Sequence, residues 1–164
     1  MSRFLVGVCC FIFLAAGCGE KAKEKAMEKE IEEATGTAAD VNLSKNGMRI
    51  TGETEEGKYT VAAGEETAIP KDFPTDVFIY RPSKAVMAMK IPEGHSIALT
   101  TGDDHSKVLS AYGREMKANG WSEKASMNMG SQSVLVYEKS GRAANITIVP
   151  SDKALQINVA VTNQ

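Results

Sequence analysis

The change in sequence pattern near residue 40 is the feature that most constrains the fold. Before it the chain is either continuously apolar or densely charged, whereas after it apolar and polar residues alternate in short runs ending at glycine, proline or asparagine. A period of two places successive side chains on opposite faces of a strand, so these runs predict strands that are covered on one side. We therefore expect residues 41–164 to form one domain built on an antiparallel sheet.

The first part of this domain is predicted to be a small β-meander over residues 41–63. Its strongest local signal is Asn46-Gly47, a dipeptide typical of tight hairpin turns, which lies between two alternating runs. A Glu-Glu-Gly turn at 55–57 separates the second run from a third. A connection containing two prolines then leads to residue 76.

The second part, residues 77–162, is predicted to be a sheet with one helix. Apolar residues recur at helical spacing between 104 and 119, with Asp103 as the expected N-cap. Asn119-Gly120-Trp121 is a helix stop that should pack Trp121 against Met116. The predicted strands are 77–80, 85–91, 96–100, 121–127, 133–139, 145–149 and 155–162. The fold class is α+β, with a curved antiparallel sheet packed on one main helix in a helix-grip-like arrangement.

The N-terminal segment has the pattern of an export signal. Residues 4–16 are thirteen uncharged, mostly large apolar residues after Arg3, too few for a bilayer-spanning helix of about twenty. The stretch from Leu14 to Cys18 (LAAGC) resembles the lipobox of bacterial lipoproteins. The resemblance implies cleavage between Gly17 and Cys18, a diacylglycerol group on Cys18 and a further acyl chain such as palmitate. An ordinary secretory signal and an uncleaved anchor are the alternatives.

The same resemblance predicts a location. Because Gly19 follows the lipidated cysteine rather than aspartate, it implies the periplasmic side of the outer membrane, with the outer leaflet of the plasma membrane as the alternative. Residues 18–40 form a charged spacer, with ten charged side chains between 20 and 33. Its alanine, glutamate and lysine residues are compatible with a helix. Only Met27, Ile31 and Ala34 make an apolar stripe, which favours a solvated spacer over a partner-binding arm.

Composition excludes several kinds of function. The formal net charge is −2 and charges of both signs are interspersed, so there is no basic surface for nucleic acid. Cysteines occur at positions 9, 10 and 18 and nowhere later, which excludes a disulfide, a thiolate metal site or a cysteine nucleophile in the domain. No cofactor is predicted.

Two runs of the domain are similar to a group of bacterial envelope lipoproteins. The first is residues 69–80 (IPKDFPTDVFIY), and the second consists of Leu99-Thr100-Thr101, Val108-Leu109, Tyr112 and Asn119-Gly120-Trp121. Members of this group carry a charged or low-complexity spacer before a domain of about this size, and Phe78 stands where a proline is common. The resemblance supports the architecture and supplies no catalytic residues.

The candidate metal ligands are methionines. Met87 and Met89, and likewise Met127 and Met129, are two residues apart, so in a strand each pair would present two thioethers on one face. Thioethers favour Cu(I), and His95 is a further candidate ligand. The competing interpretation, which we favour, is that these side chains fill the core.

Catalytic candidates are fewer. His105 follows Asp103 and Asp104 and precedes Ser106, but adjacent residues of a helix do not face one another, and the two acids are better explained by helix capping. The leading hypothesis is a non-catalytic envelope lipoprotein that contacts an envelope protein. A binding module for a small apolar ligand or Cu(I) is the second hypothesis, and an envelope hydrolase the third. A deep apolar pocket would favour the second hypothesis, converging acids or histidines the third, and a flat surface the first.

Overall fold

The computed structural model describes residues 19–65, 67–152 and 154–163. Its two helices and nine strands are α1 Glu20–Thr35, β1 Ala39–Ser44, β2 Gly47–Thr54, β3 Gly57–Gly64, β4 Lys84–Ile91, β5 Gly94–Thr101, α2 His105–Ala118, β6 Ser122–Met129, β7 Gln132–Lys139, β8 Arg142–Ser151 and β9 Ala154–Asn163. The strands form one open antiparallel sheet in the order β1-β2-β3-β4-β5-β9-β8-β7-β6. The expected combination of an antiparallel sheet with a gripped helix is therefore confirmed.

The core lies between α2 and one face of this sheet, which we call the inner face. Val108, Tyr112 and Met116 recur at helical spacing and are fully buried. They pack against alternate residues of the central strands: Ile97, Leu99, Leu135, Tyr137, Ala144, Ile146, Ile148, Ile157, Val159 and Val161. Strand alternation and helical periodicity thus meet in a single hydrophobic cluster.

The ends of α2 agree with the expected stop and differ from the expected start. Gly120 has a φ of 81°, and the amides of Gly120 and Trp121 donate to the carbonyls of Lys117 and Met116, both at 3.0 Å. This is the Schellman pairing, and it confirms the predicted helix end. At the other end the N-cap is Asp104, not Asp103, because the Asp103 carboxylate is occupied by Tyr80 and Lys107.

Two predicted elements are wrong in detail. Residues 77–80 are not a strand but the end of an irregular connection, residues 67–83, that crosses the inner face. Its apolar side chains are buried by packing on the core rather than by pairing, since β3 and β4 pair directly with each other. The first hairpin turns at Lys45 and Asn46 instead of Asn46-Gly47, because Gly47 pairs with Ser44.

Strand register shows which side chains share the opposite face, the outer face. Directly paired residues point to the same side, so a row can be followed across all nine strands. One such row is Leu43, Met48, Ala63, Met87, Ala98, Asn158, Thr147, Val134 and Met127. The next is Val41, Ile50, Val61, Met89, Ser96, Ala160, Asn145, Val136 and Ala125. Neither row contains a charged residue, although 24% of the chain is charged.

Helix α1 lies along the free edge of β1. The carboxylates of Glu24 and Glu28 accept hydrogen bonds from the amides of Leu43 and Val41, at 2.8 and 3.2 Å. These amides belong to the unpaired edge of the strand, which would otherwise be open to strand pairing. Of the apolar stripe on α1, Met27 and Ile31 are half-buried and Ala34 is exposed. The charged segment is therefore a helix packed on the sheet.

Candidate functional site

The space between α2 and the sheet is filled by side chains. Val108, Tyr112 and Met116 are 0% exposed, and the residues opposite them on the inner face are equally buried. Two surface hollows are open to solvent, one beside β1–β3 and one around residues 81–84 and 100–103, and α2 lines neither. Neither of these two hollows lies beneath the helix.

The connection of residues 67–83 closes one side of this interior. Phe73, Val77 and Tyr80 are buried in the main hydrophobic cluster. Between them, the backbone carbonyl of Asp76 accepts a hydrogen bond from the Trp121 indole at 2.8 Å. Because Trp121 follows α2 directly, this bond ties the connection to the end of the helix.

The Asp76 carboxylate forms an ion cluster at the same place. It accepts two hydrogen bonds from the Arg142 guanidinium, at 2.6 and 3.0 Å, and one from Lys139 at 2.7 Å. The Arg142 hydrogen bonds, followed by that of Lys139, hold the pKa of Asp76 well below its usual value. Arg142 also lies 5.0 Å from the centre of the Trp121 ring, which favours a cation–π contact. We call Asp76, Trp121, Lys139 and Arg142 the clasp.

A second polar group marks the start of α2. The Tyr80 hydroxyl donates to Asp103 at 2.6 Å, and Lys107 donates to the other oxygen at 2.9 Å. The hydrogen bond from Tyr80, then that from Lys107, lowers the pKa of Asp103, while burial and then the Asp103 hydrogen bond raise that of Tyr80. The phenol is thus kept protonated as a donor, which suits it to fixing the connection rather than to transferring a proton.

His105 is placed beside a serine distant in sequence. Ser133, on β7, lies 3.0 Å from His105 Nε2 and donates its hydroxyl hydrogen to Asn128 at 2.5 Å. Since that hydrogen is used by Asn128, His105 must donate to Ser133 through Nε2, the reverse of what a general base does. Ser133 is also fully buried. This trio is built to hold the β6–β7 hairpin on α2, and Ser106 takes no part in it.

The structure does not bring the candidate copper ligands together. Met87 and Met89 lie on the outer face of β4, whereas Met127 and Met129 are on the edge strand β6, five strands away or about 24 Å along the sheet. His95 pairs with Val161 and faces the inner side, where its ring contacts Phe73 and lies 3.5 Å from Asp72. Within the described ranges, no group of three His, Cys, Asp or Glu side chains is placed to hold a metal. The interpretation of the methionines as core residues is also wrong for three of them: Met87, Met127 and Met129 are 43%, 50% and 59% exposed.

The outer face is instead the broadest feature of the domain. On β5, β9, β8 and β7 its two central rows carry amides, hydroxyls and small apolar groups: Ala98, Asn158, Thr147, Val134, Ser96, Ala160, Asn145 and Val136. On β1–β4 the same rows are wholly apolar. Gly17 and Cys18, the predicted processing and lipidation residues, lie outside the described residues. In the part of the chain that the structure covers, no helix is long and apolar enough to span a membrane.

Comparisons with known proteins give one likeness. A family model described as START domain-like matches residues 84–159, which run from the first residue of β4 into β9 and include α2. The matched segment corresponds to the sheet that grips the helix and excludes α1 and β1–β3. Comparisons with curated proteins and with solved structures found no significant match.

The clasp and the Ser133 trio were both missed by sequence reasoning. Lys139 and Arg142 lie 63 and 66 residues from Asp76, and Ser133 lies 28 residues from His105. No local spacing signals such pairs, because they depend on sheet order. The alternation of apolar and polar residues was a local signal for the outer face. That its uncharged rows continue from strand to strand could be seen only from the strand register.

Proposed function

We propose that this chain is a lipid-anchored envelope protein whose domain binds another envelope protein and performs no chemistry. Its anchor is the acylated Cys18, with the outer membrane as the location. In this proposal β1–β3 are a small meander that serves the anchor, and β4–β9 with α2 are the binding part. The observation that carries the proposal is the pair of uncharged central rows across the outer face, beside a filled interior.

The filled interior supports binding at a surface over catalysis. An enzyme needs reactive groups that a substrate can reach, with a base oriented to accept a proton. The one serine–histidine contact among the described residues has a buried hydroxyl and the reverse proton direction. Asp76 and Asp103 are each committed to neighbouring cations. The polar groups of the domain thus serve to hold the fold together.

The anchor is tested by substitution within the N-terminal segment. Cys18→Ser should abolish incorporation of a labelled fatty acid and leave unprocessed precursor, because the thioether and the cleavage both require that thiol. Cys10→Ser is the matched control and should be labelled and processed normally. Continued labelling of Cys18→Ser would contradict the anchor.

The binding surface is tested by site-specific photo-crosslinking in cells. A photoreactive residue replacing Asn145 or Thr147 should give the same discrete adduct, since both side chains lie on the outer face. Ser110, which is exposed on α2, is the control position and should give none. Absence of adducts at 145 and 147, or equal adducts at 110, would contradict an outer-face partner.

A binding module for a small apolar ligand is the second candidate function. The START domain-like similarity of residues 84–159 is the observation that favours it. A ligand beneath α2 would have to displace the connection that carries Phe73 and Val77, since their side chains occupy that side of the core. Native mass spectrometry of protein purified from the membrane tests this directly. A stoichiometric bound lipid would support this candidate over the first.

A further inference from the structure

The outer face of β1–β4 is an apolar surface that lies on the opposite side of the sheet from the main core. We define the anchor-side patch by its members: Leu43, Met48, Ile50, Val61, Ala63, Met87 and Met89. On β1–β3 the opposite side of the same strands is polar apart from Ala62, with Asn42, Arg49, Thr51 and Thr60. These three strands are therefore amphipathic in the reverse sense to β5, β7, β8 and β9, whose apolar side faces α2.

Helix α1 covers the edge of this patch; within the patch Met87 is exposed and the other members are half-buried. Val41, on the edge strand, is 4% exposed, whereas Met87, three strands further in, is 43% exposed. The apolar contribution of α1 is small, because none of its residues is fully buried. A thin charged helix along β1 does not shield the rows that continue through β2, β3 and β4.

The direction of α1 places the N-terminal anchor beside this patch. Glu24 bonds to Leu43 and Glu28 to Val41, so the helix runs antiparallel to β1 and begins near the strand's Leu43 end. Cys18 precedes the first helical residue, Glu20, by two positions. Two extended residues and four helical ones span about 13 Å at most. Acyl chains on Cys18 would therefore enter the bilayer within that distance of the Glu24 backbone, whose side chain bonds to Leu43.

We propose that the anchor-side patch lies against the lipid surface, so that the β1–β4 end of the domain is held on the membrane rather than on a free tether. This inference rests on the proposed lipid anchor. The occupant is the apolar–headgroup boundary of the bilayer, because the patch contains no charged side chain and the acyl chains bring the membrane to it. Contact is driven by apolar burial, so it persists at high salt.

The test uses purified, mature, lipidated protein in phosphatidylcholine vesicles. Single-cysteine variants Met48→Cys and Met87→Cys are labelled with an environment-sensitive fluorophore; the native Cys18 is blocked by its lipid. Thr51→Cys is the matched control, since residue 51 is exposed on the other side of β2. Thr147→Cys lies on the outer face of the distant β8. Vesicles containing shallow nitroxide lipids then report contact with the bilayer.

We expect blue-shifted emission and severalfold stronger lipid-borne quenching at positions 48 and 87 than at 51 and 147, unchanged in 1 M salt (about 3 Å screening length). Equal, weak quenching at all four positions in protein that carries its lipid would overturn the patch proposal and leave the anchor standing. Failure to recover the acylated Cys18 peptide by mass spectrometry would overturn the anchor itself.

Two other occupants give distinct results. If a second copy of the chain covers the patch, mixed donor- and acceptor-labelled protein at position 48 shows energy transfer that falls on dilution with unlabelled protein. If residues 1–17 cover it, position 48 is shielded only in the uncleaved precursor. Either result, without lipid quenching in the mature protein, would overturn membrane contact.

Discussion

Replacing Asp76 by asparagine tests whether the clasp holds the connection over the core. The substitution keeps the size of the side chain but removes the charge that faces Arg142 and Lys139. Its backbone carbonyl, which accepts from Trp121, is unchanged. The variant therefore isolates the ionic part of the clasp from the packing of the neighbouring apolar residues.

The magnitude follows from the geometry. A hydrogen bond to a charged group contributes about 1.5–3 kcal/mol when buried, and exposed ion pairs contribute less than about 1 kcal/mol. The side chains of Asp76, Lys139 and Arg142 are about one quarter exposed, at 26%, 27% and 26%, so the cluster lies between these limits. We expect a loss of about 2 kcal/mol at pH 7. For a chain of this length that is a decrease in Tm of about 4–8 °C.

The effect should depend on pH with a defined sign. The pKa of Asp76 is lowered in the folded state by Arg142 and then Lys139, so the carboxylate stabilises the fold above its unfolded pKa and loses this effect as the pH falls. Thermal unfolding of wild type and Asp76→Asn, followed by circular dichroism, should differ most near neutrality, and the difference should begin to shrink only as the pH falls below about 4.

Asp72→Asn is the matched control for this series. Asp72 lies on the same connection and pairs with Lys90, but its side chain is 50% exposed. A smaller decrease in Tm is expected, because solvent screens an exposed pair. The clasp would be refuted by an Asp76→Asn variant that is no less stable than Asp72→Asn, or whose Tm deficit is the same at pH 3 and pH 7.

Three further predictions follow from single contacts. Burial raises the pKa of Tyr137 to about 12, and its hydroxyl has no hydrogen-bond partner among the described residues. Tyr137→Phe should therefore not lower the urea midpoint. Tyr80→Phe removes the hydrogen bond to Asp103 and should lower the free energy of unfolding by about 1 kcal/mol. Gly120→Ala should cost about 1–2 kcal/mol in the same assay because its φ of 81° is left-handed; a neutral variant would contradict the Schellman end. Glu24→Ala should speed hydrogen exchange at the Leu43 amide; unchanged exchange would contradict the edge contact.

The strands from β5 to β9 could be predicted because one parity of each is apolar. On β8, for example, Ile146 and Ile148 are buried while Asn145 is exposed and Thr147 half-buried. Once a helix is available to cover the sheet, such a pattern determines which side of the strand is buried. The same reasoning located α2, whose bounds differ from the prediction by one residue at each end.

Strand β4 explains why the reversal of faces could not be predicted. Its residues from Ala85 to Met89 are apolar at both parities, so the sequence does not state which side meets α2. The structure places Ala88 in the main core and Met87 and Met89 on the outer face. β4 is thus the strand at which the apolar side of the sheet changes over.

The strand predicted at residues 77–80 is wrong for a related physical reason. Four consecutive apolar residues fit a buried strand as well as they fit a buried connection, because periodicity is absent in both. What decides between them is the pairing of β3 with β4, which leaves the segment no edge to join. The contacts that fix the connection, Asp76 to Arg142 above all, join residues too far apart for any local signal.

The two edges of the sheet are treated differently, and the difference agrees with an anchor at one end. The β1 edge is closed by α1, whose glutamates bond its free amides. At the opposite edge, β6 has Glu123 and Lys124 with a register shift beside them, features that discourage pairing, but residues 125–129 are uncharged. An anchor near β1 would place the β1–β4 end of the sheet next to the membrane. The half of the outer face rich in amides and hydroxyls is carried by β5, β9, β8 and β7, beyond the anchor-side patch, and a partner protein would bind it there.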